Sequence, residues 1–237
     1  MLLTPSSQKP HRTKEEYVYD TLRTAIMRCQ LAPGQKLVLD TLSSELGVSP
    51  IPIRSALQRL EAEGLVNITP HTGAHVSELS SEIVTEIFLI LESLETAACQ
   101  VAITKATSAD HSRLEKLVDY MAQALSDANA DRWYDLNNQF HLTIAHVCQM
   151  KMLHRFTSRA LDSRDRLRYF YSEPFISARM AKAHAEHGQI IKFLREKNSQ
   201  ALADVVAQHN RSALEAYHKL IESRPKDNLH SGNNTHQ

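Results

Sequence analysis

Residues that interrupt helices are concentrated in the first third of this chain. Four of its six glycines and six of its eight prolines precede residue 80. In a helix interior glycine costs about 1 kcal/mol and proline about 3 kcal/mol relative to alanine. The first eighty residues must therefore turn often. The remainder, rich in Ala, Leu, Glu, Lys and Arg, is free to run in long helices. The chain is expected to be mainly α, with a small turn-rich domain at 14–78 and an all-helical antiparallel bundle at 79–223, the boundary falling near Glu78 to Ser81. Met1 to Thr13 is polar and is read as a flexible arm, and 224–237 as a disordered tail.

In the first domain, apolar residues at Val18, Leu22 and Ile26 predict a helix over Glu15–Arg28. Leu31-Ala32-Pro33-Gly34 is a turn, and Asp40 is expected to cap a short helix ending at Leu46. Gly47-Val48-Ser49 is a second turn. Ser49 then caps a helix to about Glu63, with Pro50 and Pro52 tolerated in a first turn that needs no intrahelical donor. Val66–Thr69 and Ala74–Val76 flank Pro70-His71-Thr72-Gly73 as a hairpin. Helix, turn, helix and hairpin make a winged helix-turn-helix. Its second helix presents Ser49, Pro50, Ile51 and Arg54 at its N-terminal end. Gln58 lies one turn beyond Arg54 on the same face, and Arg and Gln suit guanine, adenine or phosphate. His71, Thr72 and Gly73 form the tip of the wing. Net charge offers no help, because 27 basic residues balance 27 acidic ones. DNA binding must come from local placement of charge.

Beyond Glu78, a helix from Ser80 or Ser81 carries a stripe at Ile83, Ile87, Ile90, Leu91 and Leu94. Further helices are expected at about 108–127, 130–148, 150–172, 176–196 and 199–222. His187 and His209 each lie eleven residues from Asn198, the centre of the Lys197-Asn198-Ser199 break. At about 1.5 Å rise per residue both stand roughly 16 Å from the turn, level with each other in an antiparallel pair. His141 and Asn137, spaced i and i+4, share one face of another helix. Three imidazoles and an amide oxygen converging in a bundle make a metal site. Nitrogen-rich ligation suits Zn²⁺ or Ni²⁺, with Mn²⁺ or Fe²⁺ as alternatives. His184 and His146 are close enough in sequence to be auxiliary ligands or bystanders. Four protein ligands on an octahedral ion leave positions for a small organic carboxylate. On the stripe Leu153, Phe156, Ala160, Leu167, Tyr171 the charged Arg164 is out of place. It either snorkels at the bundle edge or holds that carboxylate, with Arg168 as the second candidate.

Two resemblances extend this reading. Leu31-Ala32-Pro33-Gly34-Gln35-Lys36-Leu37, Leu42-Ser43-Ser44-Glu45-Leu46-Gly47-Val48-Ser49 and Pro52-Ile53-Arg54-Ser55-Ala56-Leu57-Gln58-Arg59-Leu60-Glu61-Ala62-Glu63-Gly64-Leu65 resemble the N-terminal domain of the GntR family of bacterial regulators. The resemblance implies that Arg54 and the helix start read an operator, with contacts added by Asp40, Ser49 and the wing. Pro50 stands where the family usually has a basic residue, Ile51 where it often has threonine, and Cys29 where it usually has glycine. Asn137-x-x-Phe140-His141, Glu186-His187-x-x-Ile190 and His209 resemble the FCD effector domain of the FadR subfamily. That resemblance implies a divalent metal on Asn137, His141, His187 and His209. Asparagine replaces the commoner aspartate, and Leu91 stands where relatives often carry arginine.

The function expected is a homodimeric transcription factor on a short inverted repeat of double-stranded DNA, controlled by a small carboxylate and not an enzyme. Two competitors are a metal-dependent hydrolase with an accessory winged domain and an acyl-CoA-responsive regulator. The first needs a placed general base, and Glu186 is expected to point about 100° away from His187 around its helix. The second is disfavoured by the complete histidine set. Cys29, Cys99 and Cys148 form no C-x-x-C and are read as free thiols. With no signal peptide and no apolar run of about 18 residues, a cytoplasmic location without a membrane span is expected.

Overall fold

A computed structural model describes residues 13–171 and 175–223, with backbone only for 175–178. The expected tail and all of the expected arm except Thr13 lie outside the described residues. Thr13 is part of the fold, because its hydroxyl accepts from the Glu16 amide while Glu16 reaches back to the Thr13 amide, a capping box at the start of α1 (Lys14–Met27). The chain divides into two compact units after Glu78.

The first unit contains α1, β1 (Lys36–Leu37), α2 (Leu39–Leu46), α3 (Pro50–Ala62), β2 (Val66–Thr69) and β3 (Gly73–Val76). Val18, Leu22 and Ile26 of α1 meet Ile53, Ala56, Leu57 and Leu60 of α3 in one core, and these residues are buried. The antiparallel sheet has the order β1-β3-β2. The hairpin is therefore a three-stranded wing, in which Lys36 faces His75 and Leu37 faces Ala74. A two-residue strand is too short to show an alternating pattern in sequence. Cys29 adopts φ 53°, a left-handed conformation that glycine takes more readily than other residues.

Two expected caps differ. Val38, not Asp40, is the N-cap of α2, and Asp40 sits inside the first turn, where its charge faces the positive helix end without capping it. Ser49 is the N-cap of α3 but its hydroxyl makes no capping bond. Pro52 occupies the third helical position, so one of the two amides a capping hydroxyl uses does not exist.

The second unit contains α4 (Ser81–Lys105), α5 (Ser108–Ser126), α6 (Ala130–Val147), α7 (Lys151–Phe170), α8 (Phe175–Arg195) and α9 (Ser199–Ser223). Helix α4 packs against α9, α7 and α6. It is long and apolar enough to cross a membrane by length and composition, contrary to the expectation that no run approaches that length. Its burial among three helices marks it as a core helix. The buried face is Val84, Ile87, Phe88, Leu91, Glu95, Ala98, Cys99 and Ala102. The expected stripe is rotated from this, since Ile83 and Ile90 are exposed. A helix apolar on most sides does not declare its inner face by periodicity. Phe156, assigned to the inner stripe of α7, is also exposed.

Candidate functional site: three buried histidines and an open winged helix

His141 projects from α6, His187 from α8 and His209 from α9. Each offers a ring nitrogen, and these atoms lie within 4.8 Å of one another. Ring centroids are 5.3 Å apart for His141–His187, 5.2 Å for His141–His209 and 4.9 Å for His187–His209. Asn198 at the α8–α9 turn accepts from the Ala201 amide, and Lys197 turns the chain at φ 55°. The two helices then run antiparallel with His187 and His209 side by side. His184 and His146 are not members of the cluster, and His146 instead faces His154, with ring centroids 6.1 Å apart.

Burial holds His141 and His187 well below the usual imidazole range, with the Arg164 charge acting in the same direction. His209 is lowered to about 4, mainly by burial, although Glu186 pulls it upward. All three are neutral near pH 7, the form that donates a lone pair. His141 Nε2, both ring nitrogens of His187 and Asn137 Oδ1 are buried without a hydrogen-bond partner. Unpaired buried polar atoms cost about 1–3 kcal/mol each. A cluster of them is physically reasonable where a cation completes it, so this donor set fits a divalent metal.

Two carboxylates back the imidazoles. Glu186 Oε2 accepts from His209 Nδ1 at 2.8 Å, which leaves Nε2 bare for the cluster. Glu95 Oε1 lies 3.0 Å from His141 Nδ1 without an aligned hydrogen bond, and its other oxygen accepts from Asn210 Nδ2 at 2.8 Å. Glu186 thus serves a histidine on the neighbouring helix rather than His187 beside it in sequence. Glu95 escaped notice because its partner is 46 positions away. A glutamate inside an apolar stretch was the available signal. Glu95→Gln should weaken metal about ten-fold, the mild end for a supporting residue, because the amide oxygen still accepts from Asn210. A competitive chelator titration measures this, and unchanged affinity would remove Glu95 from the site.

Arg164 is buried, and its Nη2 donates to Asn138 Oδ1 at 2.6 Å. It therefore does not snorkel. Arg168 pairs with Asp131 at 2.5 Å and lies over the Tyr134 and Tyr169 rings. Arg179 of α8 was not anticipated. Its Nη2 donates to Glu186 Oε2 and to the His209 carbonyl, both at 2.7 Å. Arg164, Asp165, Arg168, Arg179, Asn137 and His209 all line one cavity of about 50 Å³.

In the first unit, Asp40, Ser49, Pro50, Ile51, Arg54, Gln58, His71, Thr72 and Gly73 are all exposed. Asp40, Arg54, Gln58 and Gly73 line one open groove with Lys36, a basic residue not singled out from sequence. Ile51 is 76% exposed, an unusual position for a large apolar side chain with no partner in the fold. Arg59, by contrast, is committed to packing, with its guanidinium 3.6 Å from the Tyr19 ring centroid.

Comparison with known proteins follows the same division. The model of the gntR family of bacterial regulatory proteins matches residues 14–76, and that of the FCD domain matches 86–212. The transcriptional repressor RspR of Escherichia coli K12 is 23% identical over 211 residues, covering 89% of this chain and 92% of its own. The structure of E. coli McbR/YncC superposes with a TM-score of 0.70 at 22% identity, covering 87% of this chain and 98% of that one. A GntR regulator from Rhodococcus sp. RHA1 gives 0.69 at 18% identity, covering 90% and 99%. The relatives are transcriptional regulators and not enzymes, which sets the hydrolase reading aside. The chain belongs to the GntR family of bacterial regulatory proteins and is a DNA-binding transcriptional regulator built from a winged helix-turn-helix and an FCD domain.

Proposed function

We propose that this regulator, of the FadR subfamily, holds a divalent metal on Asn137, His141, His187 and His209 and couples a small carboxylate in the adjoining cavity to operator affinity. The observation that carries this is the set of buried, unpartnered atoms on His141, His187 and Asn137, clustered with His209, with Asn137 and His209 lining a cavity that Arg164 also lines. Zn²⁺ or Ni²⁺ suits the nitrogen-rich set best, with Mn²⁺ or Fe²⁺ as alternatives. Bound there, the metal supplies positive charge and open coordination positions for an anion. Glu186 keeps the proton on His209 Nδ1, and Glu95 favours the same tautomer at His141. Arg164 supplies a charged donor for the carboxylate and Arg168 steadies the opposite wall.

At the DNA, Arg54 and Gln58 address base edges or phosphate, Ile51 offers an apolar contact to a thymine methyl, and Asp40, Ser49, Pro50 and the wing tip His71-Thr72-Gly73 add the flanking contacts. The chain works in the cytoplasm as a homodimer, since a two-fold protein matches an inverted repeat. A carboxylate that binds two conformations unequally shifts operator affinity by that difference.

The experiment measures operator binding by fluorescence anisotropy, with and without a panel of sugar acids, hydroxy acids and aryl or alkyl carboxylates, for metal-loaded and chelated protein. A hit should change the operator constant by at least about five-fold when metal is present. Equal effector affinity after complete metal removal would sink the bridging reading.

A further inference from the structure

The cavity beside the histidines is polar at the histidine end and along α7, through Arg164, Asp165 and Arg168, and apolar along α8 and α9. Along α9 its wall is His209, then Ala213, Ala216, Tyr217 and Leu220. The eleven steps from His209 to Leu220 cover about 16 Å of helix, and every wall residue of α9 after the histidine is apolar or aromatic. On α8 the wall is Ala183 and then Met180, one and two turns before His187. Trp133 and Tyr134 continue it on α6, one turn before Asn137, and Phe88 closes it from α4.

The cations are not equivalent. Arg168, at the level of Tyr134, already has Asp131 as its counter-ion. Arg179 is anchored at the histidine end through the His209 carbonyl and Glu186. Its Nε and Nη1 are nonetheless buried without partners. Arg164 donates through Nη2 to the neutral Asn138 amide and also interacts electrostatically with the buried Asp165 carboxyl group beside it. Arg179 thus brings unpartnered donors to the histidine end, while Arg168, although its Nε is unpartnered too, already has Asp131 as its counter-ion.

We infer that the cavity takes a monocarboxylate with an aromatic or branched aliphatic body, its carboxylate held at the histidine end by Arg164 and Arg179 and its body lying along Ala183, Ala213, Ala216 and Tyr217. This rests on the carboxylate reading above and narrows it to one class. Against the α8 and α9 walls the hydroxyls of a sugar acid would lie on alanine and ring carbon without partners, a cost that apolar atoms do not incur. A second carboxylate would meet the same surface and the already neutralised Arg168. The three alanines matter because each larger side chain would fill the space the body occupies.

Four probes test this by calorimetry and thermal shift on the metal-loaded full chain: phenylacetate, 4-methylpentanoate, succinate and gluconate. Phenylacetate or 4-methylpentanoate should bind at least about ten-fold more tightly than the other two. Ala213→Leu and Ala216→Leu are made separately, so that one folded variant suffices. Each should weaken phenylacetate or 4-methylpentanoate by about ten-fold or more while metal content by elemental analysis stays unchanged. Arg179→Gln should weaken all bound carboxylates without altering the preference among them. Succinate or gluconate binding as tightly as the apolar acids overturns the class and leaves the carboxylate reading standing. Failure of all four to bind the metal-loaded protein overturns both.

Discussion

Replacing His187 with alanine is expected to empty the bundle of metal and to remove most of the stability that metal confers. His187 is fully buried, and its ring lies 4.6 Å from that of Phe140 and 4.9 Å from that of His209, centroid to centroid. A ligand present at a thousand times its dissociation constant stabilises the native state by about 4 kcal/mol. For a domain of this size that corresponds to roughly 10 °C in Tm. Elemental analysis should fall from one metal per chain toward none, and His141→Ala and His209→Ala should behave alike. Asn137→Asp should retain or tighten the metal by adding a negative charge. His184→Ala, outside the cluster, should keep it. Melting with and without chelator separates ligation from packing. If His187→Ala lowers Tm equally in both conditions, the imidazole only fills space.

The metal-free protein should also lose stability on acidification, and the sign follows from the depressed imidazoles. An unfolded histidine titrates near 6.5, whereas His209 in the fold is lowered to about 4, and His141 and His187 lie well below their usual range. Below about pH 6.5 the unfolded chain takes up protons that the folded chain refuses. This contribution is fully present above that pH and is lost as pH falls toward the folded values. Urea midpoints of chelated protein at about pH 7.5 and 5.5 measure it, and His209→Gln should flatten the slope.

Arg54→Ala is expected to cost about 1–3 kcal/mol of operator discrimination if the guanidinium addresses a base edge. The side chain is exposed on α3, one turn from the exposed Gln58 and in the same groove. Among the described residues no hydrogen bond or ion pair has to be broken for it to reach DNA. Binding to operator and to random duplex of equal length, each over a salt series, separates two outcomes. Selective loss on the operator assigns a base contact. Equal loss on both, with a shallower salt slope, assigns a phosphate contact. Unchanged operator affinity would mean that α3 is not the reading helix. Gln58→Ala and Ile51→Ser should give smaller changes confined to single base positions.

Much of the first unit was legible in order along the chain because its signals are local. Pro50 and Pro52 at a helix start, Gly47 and Gly64 past helix ends, and four residues between two short apolar runs each constrain the backbone where they stand. Strand β1 was not legible. Two residues carry no alternation, and their strand character comes only from pairing with β3. The failure of Asp40 to cap has a related cause. The chain enters α2 two residues earlier, because Val38 is already extended at the junction with β1.

For the histidine cluster, spacing alone placed Asn137 and His141 on one face and made His187 level with His209, since helical rise and the turn at Asn198 depend on nothing distant. The family pattern added that these four residues act together. Packing decided everything about their surroundings. Helical geometry sets Glu186 about 100° from His187 around their common helix, and its carboxylate serves His209 on α9. Glu95, Arg179 and the inner face of α4 became visible only once α4, α8 and α9 were set against one another. Sequence periodicity states where a side chain sits around its own axis. It does not state which neighbouring helix comes within about 3 Å, and the tautomer, the neutral charge state and the unpartnered nitrogens of this cluster all depend on that distance.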